Sequence, residues 1–111
     1  MNIEHHFYRE VMIVSMPFRE GRLVEEGPQE FVDELLAIPD AASQRVAFDM
    51  SKVSYLNSTG LGELVRIKDC LMDRNIELIL INPTQRVVSL LSMAGIDRFF
   101  NIIDDEHKID A

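Results

Sequence analysis

Short, continuous apolar runs alternate with stretches of helical periodicity along this chain, and that alternation constrains its fold more than any other feature. The segment "ELILI" at 77–81 is flanked on one side by a run whose apolar positions are Leu61, Leu64, Val65, Ile67, Leu71 and Met72. On the other side lies a run with Val87, Val88, Leu90, Leu91 and Met93. Each of these flanking sets recurs at steps of three and four, the spacing that lines one face of a helix. A run of apolar residues with no alternation is what a strand covered on both faces requires.

Further segments extend the pattern. "IEHHFYREVMIVSMP" reads as two short strands joined by a tight connection at Arg9-Glu10, the second strand running from Val11 to Met16. "FREGRLVEEGP" reads as loop. Pro28 then fits a first helical turn, where its missing N–H does no harm. The positions Phe31, Val32, Leu35, Leu36 and Ile38 follow at helical spacing until Pro39 and "DAAS" end the run. "RVAFDM" at 45–50 is a strand, Ser58 to Arg74 a helix, and "NIELILIN" at 75–82 a strand. A third helix begins at Pro83-Thr84 and stops at Ala94-Gly95. "DRFFNIID" reads as a last edge strand with one ring of Phe99-Phe100 inward and one outward, and the chain from about residue 104 as a polar tail. The order β-β-α-β-α-β-α-β predicts an α/β sandwich, a mixed, mostly parallel sheet of about five strands with an N-terminal hairpin and three to four helices.

A chain of 111 residues is one domain on this reading, 1–111. The net charge of −8 and pI near 4.7 argue against nucleic acid, which requires clustered Lys and Arg, and against an anionic membrane surface. No apolar run approaches the ~20 residues that span a bilayer. "MNIEHHFYRE" has no basic stretch followed by an apolar one, as a signal peptide would. The lone Cys70 has no disulfide partner in the chain and fits a reducing cytoplasm. His5 and His6 are adjacent strand residues facing opposite sides, so they do not share a metal ion, and neither metal nor cofactor is expected.

Chemistry concentrates in "YLNSTGLGEL", residues 55–64, where a strand and its loop hand over to a helix. Three readings compete for its hydroxyls. Asn57 or Ser58 suits a helix N-cap, since the side-chain oxygen accepts a free N–H of the first turn. A nucleophilic serine fits poorly: "NSTGLG" is not G-x-S-x-G, and His5, His6 and His107 all lie far away in sequence. A phosphoryl acceptor fits well, because the positive end of the helix dipole tolerates the ~2 negative charges a phosphate adds. Gly60 and Gly62 each cost about 1 kcal/mol relative to Ala in a helix. They therefore point to an anion or partner surface approaching the backbone. A nucleotide at this turn ranks low, because the lysine of a phosphate loop is missing. Asp49 is read as a brace for the "SKVS" loop, and Met93 as an exposed contact candidate near a helix end.

Residues 48–103 resemble the STAS domain of bacterial anti-sigma factor antagonists. Asp49, Ser51, Val53, Ser58, Thr59, Gly60, Leu61 and Gly62 match that family's first motif, and Pro83, Val87, Leu91 and Gly95 its second. Two positions depart. Asn57 stands where the family has Asp, keeping the cap geometry without the charge, and Val24 stands where a "G-x-L-D" pattern has its Asp. The resemblance implies a cytoplasmic binding module rather than an enzyme. Its serine, Ser58 here with Thr59 second, is phosphorylated by an anti-sigma factor serine kinase that the unmodified antagonist binds, and a Ser/Thr phosphatase reverses the mark. The expected partner surface comprises Asn57, Ser58, Thr59, Gly60, Leu61 and Gly62, the loop carrying Gly21 and Leu23, and Met93. The alternative is an unswitched STAS scaffold, a subunit of a stressosome-like or transporter-associated assembly.

Overall fold

The computed structural model describes residues 3–24, 27–41 and 44–110. Seven strands and three helices follow one another as β1 (His5–Tyr8), β2 (Val11–Ser15), β3 (Phe18–Arg19), β4 (Arg22–Leu23), α1 (Pro28–Leu36), β5 (Arg45–Asp49), α2 (Ser58–Met72), β6 (Glu77–Ile81), α3 (Gln85–Met93) and β7 (Asn101–Ile103). The main sheet has the order β1-β2-β5-β6-β7. Its first pair is antiparallel and the other three are parallel. The mixed, mostly parallel sheet and N-terminal hairpin are those the alternation predicts. The tight connection at Arg9-Glu10 is made with φ of 50° and 67° at two non-glycine residues, the left-handed pair a two-residue hairpin turn needs.

Strand order explains where the core sits. From β2 to β7 the parallel strands are laid down in one direction, so crossovers of one hand place every helix on the same face. Met12, Val14, Val46, Phe48, Leu78 and Leu80 point to that face. They pack with Phe31, Val32, Leu35, Leu64, Ile67, Leu71, Val87 and Leu91 of the helices. Phe31 of α1 meets Phe48 of β5 edge to face at 6.1 Å. Alternate strand residues, Val11, Ile13, Ala47, Ile79 and Ile81, point the other way, where no helix lies.

That second face is closed by the C-terminal segment, and here the expected polar tail is corrected. A 3-10 turn, Glu106–Lys108, folds back under the sheet and inserts Ile109, 5% exposed, into the second cluster. Asp105 accepts from the His107 N–H at 2.8 Å, His6 meets Glu106 at 2.9 Å, and Arg45 donates to the Asp110 carbonyl at 2.8 Å. One apolar side chain among polar neighbours supplies the cover, which is why the segment reads as a tail. A second correction concerns residues 97–104. Their start is a 3-10 turn, Asp97–Phe99, and only Asn101–Ile103 pairs with β6. Phe100 is buried at 7% and Phe99 is 61% exposed, so one ring is in and one out, but from a turn rather than a strand.

Candidate functional site

The segment between β5 and α2 is pinned from below. Met50, Val53 and Leu56 are buried in the main core. Asp49 Oδ1 accepts from both the backbone N–H and the hydroxyl of Ser51, at 3.0 and 2.7 Å, bracing the turn. From the other side, Thr84 donates its hydroxyl to the Val53 carbonyl at 3.2 Å and caps α3 by accepting from Val87 N–H at 3.3 Å. The chain thus reaches residue 57 with its apolar side chains spent on the core and its polar ones outward.

Asn57 is the N-cap of α2: its side-chain oxygen accepts from Gly60 N–H at 2.8 Å. That assignment decides between the two capping candidates. Ser58 is the first helical residue, exposed, and its hydroxyl makes no side-chain hydrogen bond among the described residues. Thr59 beside it is exposed too. The first turn of α2 holds no acidic residue of its own to offset the positive end of the helix dipole. The histidine rings bond elsewhere, His5 to the Ile3 carbonyl, His6 to Glu106 and His107 to Asp105.

The segment expected to be loop contains a hairpin, β3 with β4, turning through Glu20 and Gly21 at φ of 53° and 82°. It lies against the start of α2. Asn57 N–H donates to the Gly21 carbonyl at 2.9 Å, and Leu23 N–H donates to Glu63 Oε1 at 2.8 Å. Gly60 is buried directly beneath this hairpin: a Cβ there would overlap the Gly21 carbonyl oxygen and stand 3.1 Å from Arg22 Cα. Gly21 is confined likewise, by Tyr55 and the Asn57 backbone. Gly62, by contrast, is exposed with nothing within 4 Å of an added Cβ.

The expected site residues therefore divide. Asn57, Ser58, Thr59 and Gly62 face outward, and Leu61 is half-buried. Gly21, Gly60 and Leu23, the last only 2% exposed, face inward and build the platform beneath the helix start. Met93 is 86% exposed at the end of α3. Tyr55 joins the two parts, packed against Gly21 on one side and beneath the Arg86 guanidinium at 5.0 Å on the other. An open groove lined by Tyr55, Gln85, Arg86, Ser89, Leu90 and Met93 continues from it along α3. Arg22, Tyr55, Glu63 and Arg86 escape a reading of the sequence. The "REGR" turn is the one signal that could have shown Arg22 on a hairpin, since an x-Gly pair between short runs suits such a turn.

Among the described residues no group of three or more His, Cys, Asp or Glu is placed to hold a metal ion, and no helix is long and apolar enough to cross a membrane. The arrangement is an outward-facing helix start framed by a hairpin and a groove, a surface suited to a macromolecule.

A mostly parallel sheet carrying all its helices on one face, with a glycine-bearing helix start presented at its rim, defines a small α/β domain class. Residues 18–109 match the STAS domain, and the chain belongs to that family. Solved structures share the fold. The crystal structure of TM1081 from Thermotoga maritima, a proposed anti-sigma factor antagonist, is 22% identical with a TM-score of 0.70, covering 96% of this chain and 89% of that one. The NMR structure of TM1081 is 22% identical with a TM-score of 0.73, covering 94% and 82%. The anti-sigma factor antagonist SpoIIAA in its unphosphorylated form is 19% identical with a TM-score of 0.64, covering 98% and 94%.

Proposed function

We propose that this chain is an anti-sigma factor antagonist that binds an anti-sigma factor serine kinase and is switched off by phosphorylation at Ser58, a Ser/Thr phosphatase restoring it. The observation carrying this reading is the division of labour between neighbours: Asn57 caps α2, leaving the Ser58 hydroxyl exposed and unbonded among the described residues. A phosphate there meets a helix start with no acidic residue in its first turn, so its cost to the fold is small. Its effect on a partner fitted against the bare hydroxyl is large. The relation to SpoIIAA, whose structure is that of an unphosphorylated form, supports the same reading. The partner would contact Asn57, Ser58, Thr59, Leu61 and Gly62, with Arg22 and the α3 groove to Met93 at the flanks. The domain would act in the cytoplasm as a binding module without catalysis of its own.

The unswitched scaffold reading rests on two observations. Asn57 brings no charge beside Ser58, and Val24 is an exposed apolar residue, 39% accessible, at the end of the hairpin. Titrating the cognate kinase with the native chain, Ser58→Ala and Ser58→Asp distinguishes the two. The switch requires Ser58→Ala to bind as the native chain does and Ser58→Asp to lose affinity. Equal binding of all three leaves the scaffold.

A further inference from the structure

A second surface lies at the other end of α2, about 20 Å along the helix axis from Ser58 at 1.5 Å per residue. The last turns of α2, the start of β6 and the 3-10 turn Asp97–Phe99 border an open cleft of about 620 Å³. Met72, 54% exposed, and Phe99, 61% exposed, stand on its walls, two of the molecule's most accessible large apolar side chains among the described residues. Neither is needed to complete the core, which Leu71 and Phe100 beside them already enter.

Two cations frame these apolar walls. Lys68 lies over the Phe100 ring with its ammonium 5.9 Å from the centroid, and Arg98 lines the cleft from the turn. Among the described residues neither has a carboxylate within ion-pair distance. The one carboxylate lining the cleft, Glu77, accepts a hydrogen bond from the Asn101 amide at 3.3 Å. The lining is thus net positive on a chain of net charge −8. Lys68 donates to Met72 Sδ at 2.8 Å, a contact that keeps its ammonium at the apolar wall without neutralising it. Exposed apolar groups beside cations that no carboxylate neutralises are complementary to an acidic segment carrying an apolar anchor.

We infer that this cleft docks a short acidic segment of a partner protein, seating one aromatic or large aliphatic side chain between Met72 and Phe99 and its carboxylates on Lys68 and Arg98. The cleft spans one helix end and one turn, whereas a stable dimer buries about 800 Å² per partner. A short segment therefore fits it better than a second copy of the chain. The surface does not depend on Ser58, and the two sites can be occupied together, so the domain would bridge two proteins.

The test uses the full chain, isotope-labelled for amide resonances, titrated with a short synthetic peptide of aspartates and glutamates around one phenylalanine. The expected result is shifts at Lys68, Met72, Ile76, Leu78, Phe99 and Asn101, with Ser58 to Leu61 unmoved. Phe99→Ala and Arg98→Glu, both at exposed positions, should each weaken binding about tenfold, as losing an anchor or reversing a flanking charge does. Lys68→Gln should weaken it less, and added salt should weaken it throughout. The inference is overturned by equal binding of a lysine-substituted peptide, by shifts elsewhere, or by no shifts at millimolar peptide. It is overturned equally if the same resonances move with protein concentration alone, since a second copy would then be the occupant.

Discussion

Gly60 of α2 lies directly beneath the carbonyl of Gly21, close enough that no side chain at position 60 could be accommodated. The same carbonyl accepts the Asn57 N–H at 2.9 Å, so one oxygen holds the hairpin against both the cap and the first turn of the helix. Two glycines far apart in the chain thereby set the height at which Ser58 stands above the platform.

Gly60 and Gly62 should consequently respond to alanine in opposite directions. Gly60→Ala forces the hairpin away and should destabilise by about 1–3 kcal/mol, the usual range for overpacking. Gly62→Ala meets nothing within 4 Å and should stabilise by up to about 1 kcal/mol through helix propensity. Urea unfolding of the two variants beside the native chain gives both signs.

Asn57→Ala removes the cap to Gly60 N–H and should cost about 1 kcal/mol. Asn57→Asp keeps an acceptor at the same place and adds a charge the helix dipole favours, worth about 0.3–1 kcal/mol at low salt. Thermal melts at low and high ionic strength should show Asn57→Asp at or above the native midpoint, with the gain fading as salt is added.

Glu63 ties the hairpin to α2 through Leu23 N–H at 2.8 Å. Glu63→Ala leaves that partly buried donor without its acceptor and should cost about 1–3 kcal/mol, whereas Glu63→Gln retains a carbonyl oxygen and should cost less. Hydrogen exchange at the Leu23 amide should accelerate in the alanine variant and stay slow in the glutamine one.

How much of this was legible in the sequence depends on the range of the interaction. The apolar run at 77–81 and the stripe from Leu61 to Leu71 are local signals, and the mostly parallel sheet and its helices follow from them. The cap at residue 57 or 58 is also local. Gly60 has a partner 39 residues earlier, so its glycine reads as an invitation to an outside body when it is filled by the chain's own backbone. The hairpin escapes because each of its strands is two residues long, too short for alternation to register. Ile109 escapes because one apolar residue in a polar stretch has no period at all.

Acid should release the C-terminal cover. The Asp105 carboxyl is held below the ordinary range first by the hydrogen bond from the His107 backbone N–H and then by the His107 ring; a hydrogen bond from Lys108 lowers Asp104 likewise. A carboxyl lowered by folding adds stability that is complete above its unfolded value of about 3.9 and is lost as the pH falls through the lower folded value. The cover should hold from pH 7 to 5 and loosen below about pH 4, baring Val11, Ile13, Ala47, Ile79 and Ile81. Binding of a hydrophobic dye should rise over that interval. Ile109→Ala should move the rise to higher pH and lower stability by up to about 2 kcal/mol, the lower end for such a truncation.

The central claim is that Ser58 carries the switch, and it is tested most directly by intact-mass and fragment mass spectrometry of the protein purified from its own host. The account predicts one phosphate, mapped to Ser58, whose occupancy changes between growth and stress conditions. An unmodified chain under every condition, or a phosphate confined to another residue, would contradict it and leave Ser58 as the first residue of a helix that Asn57 caps.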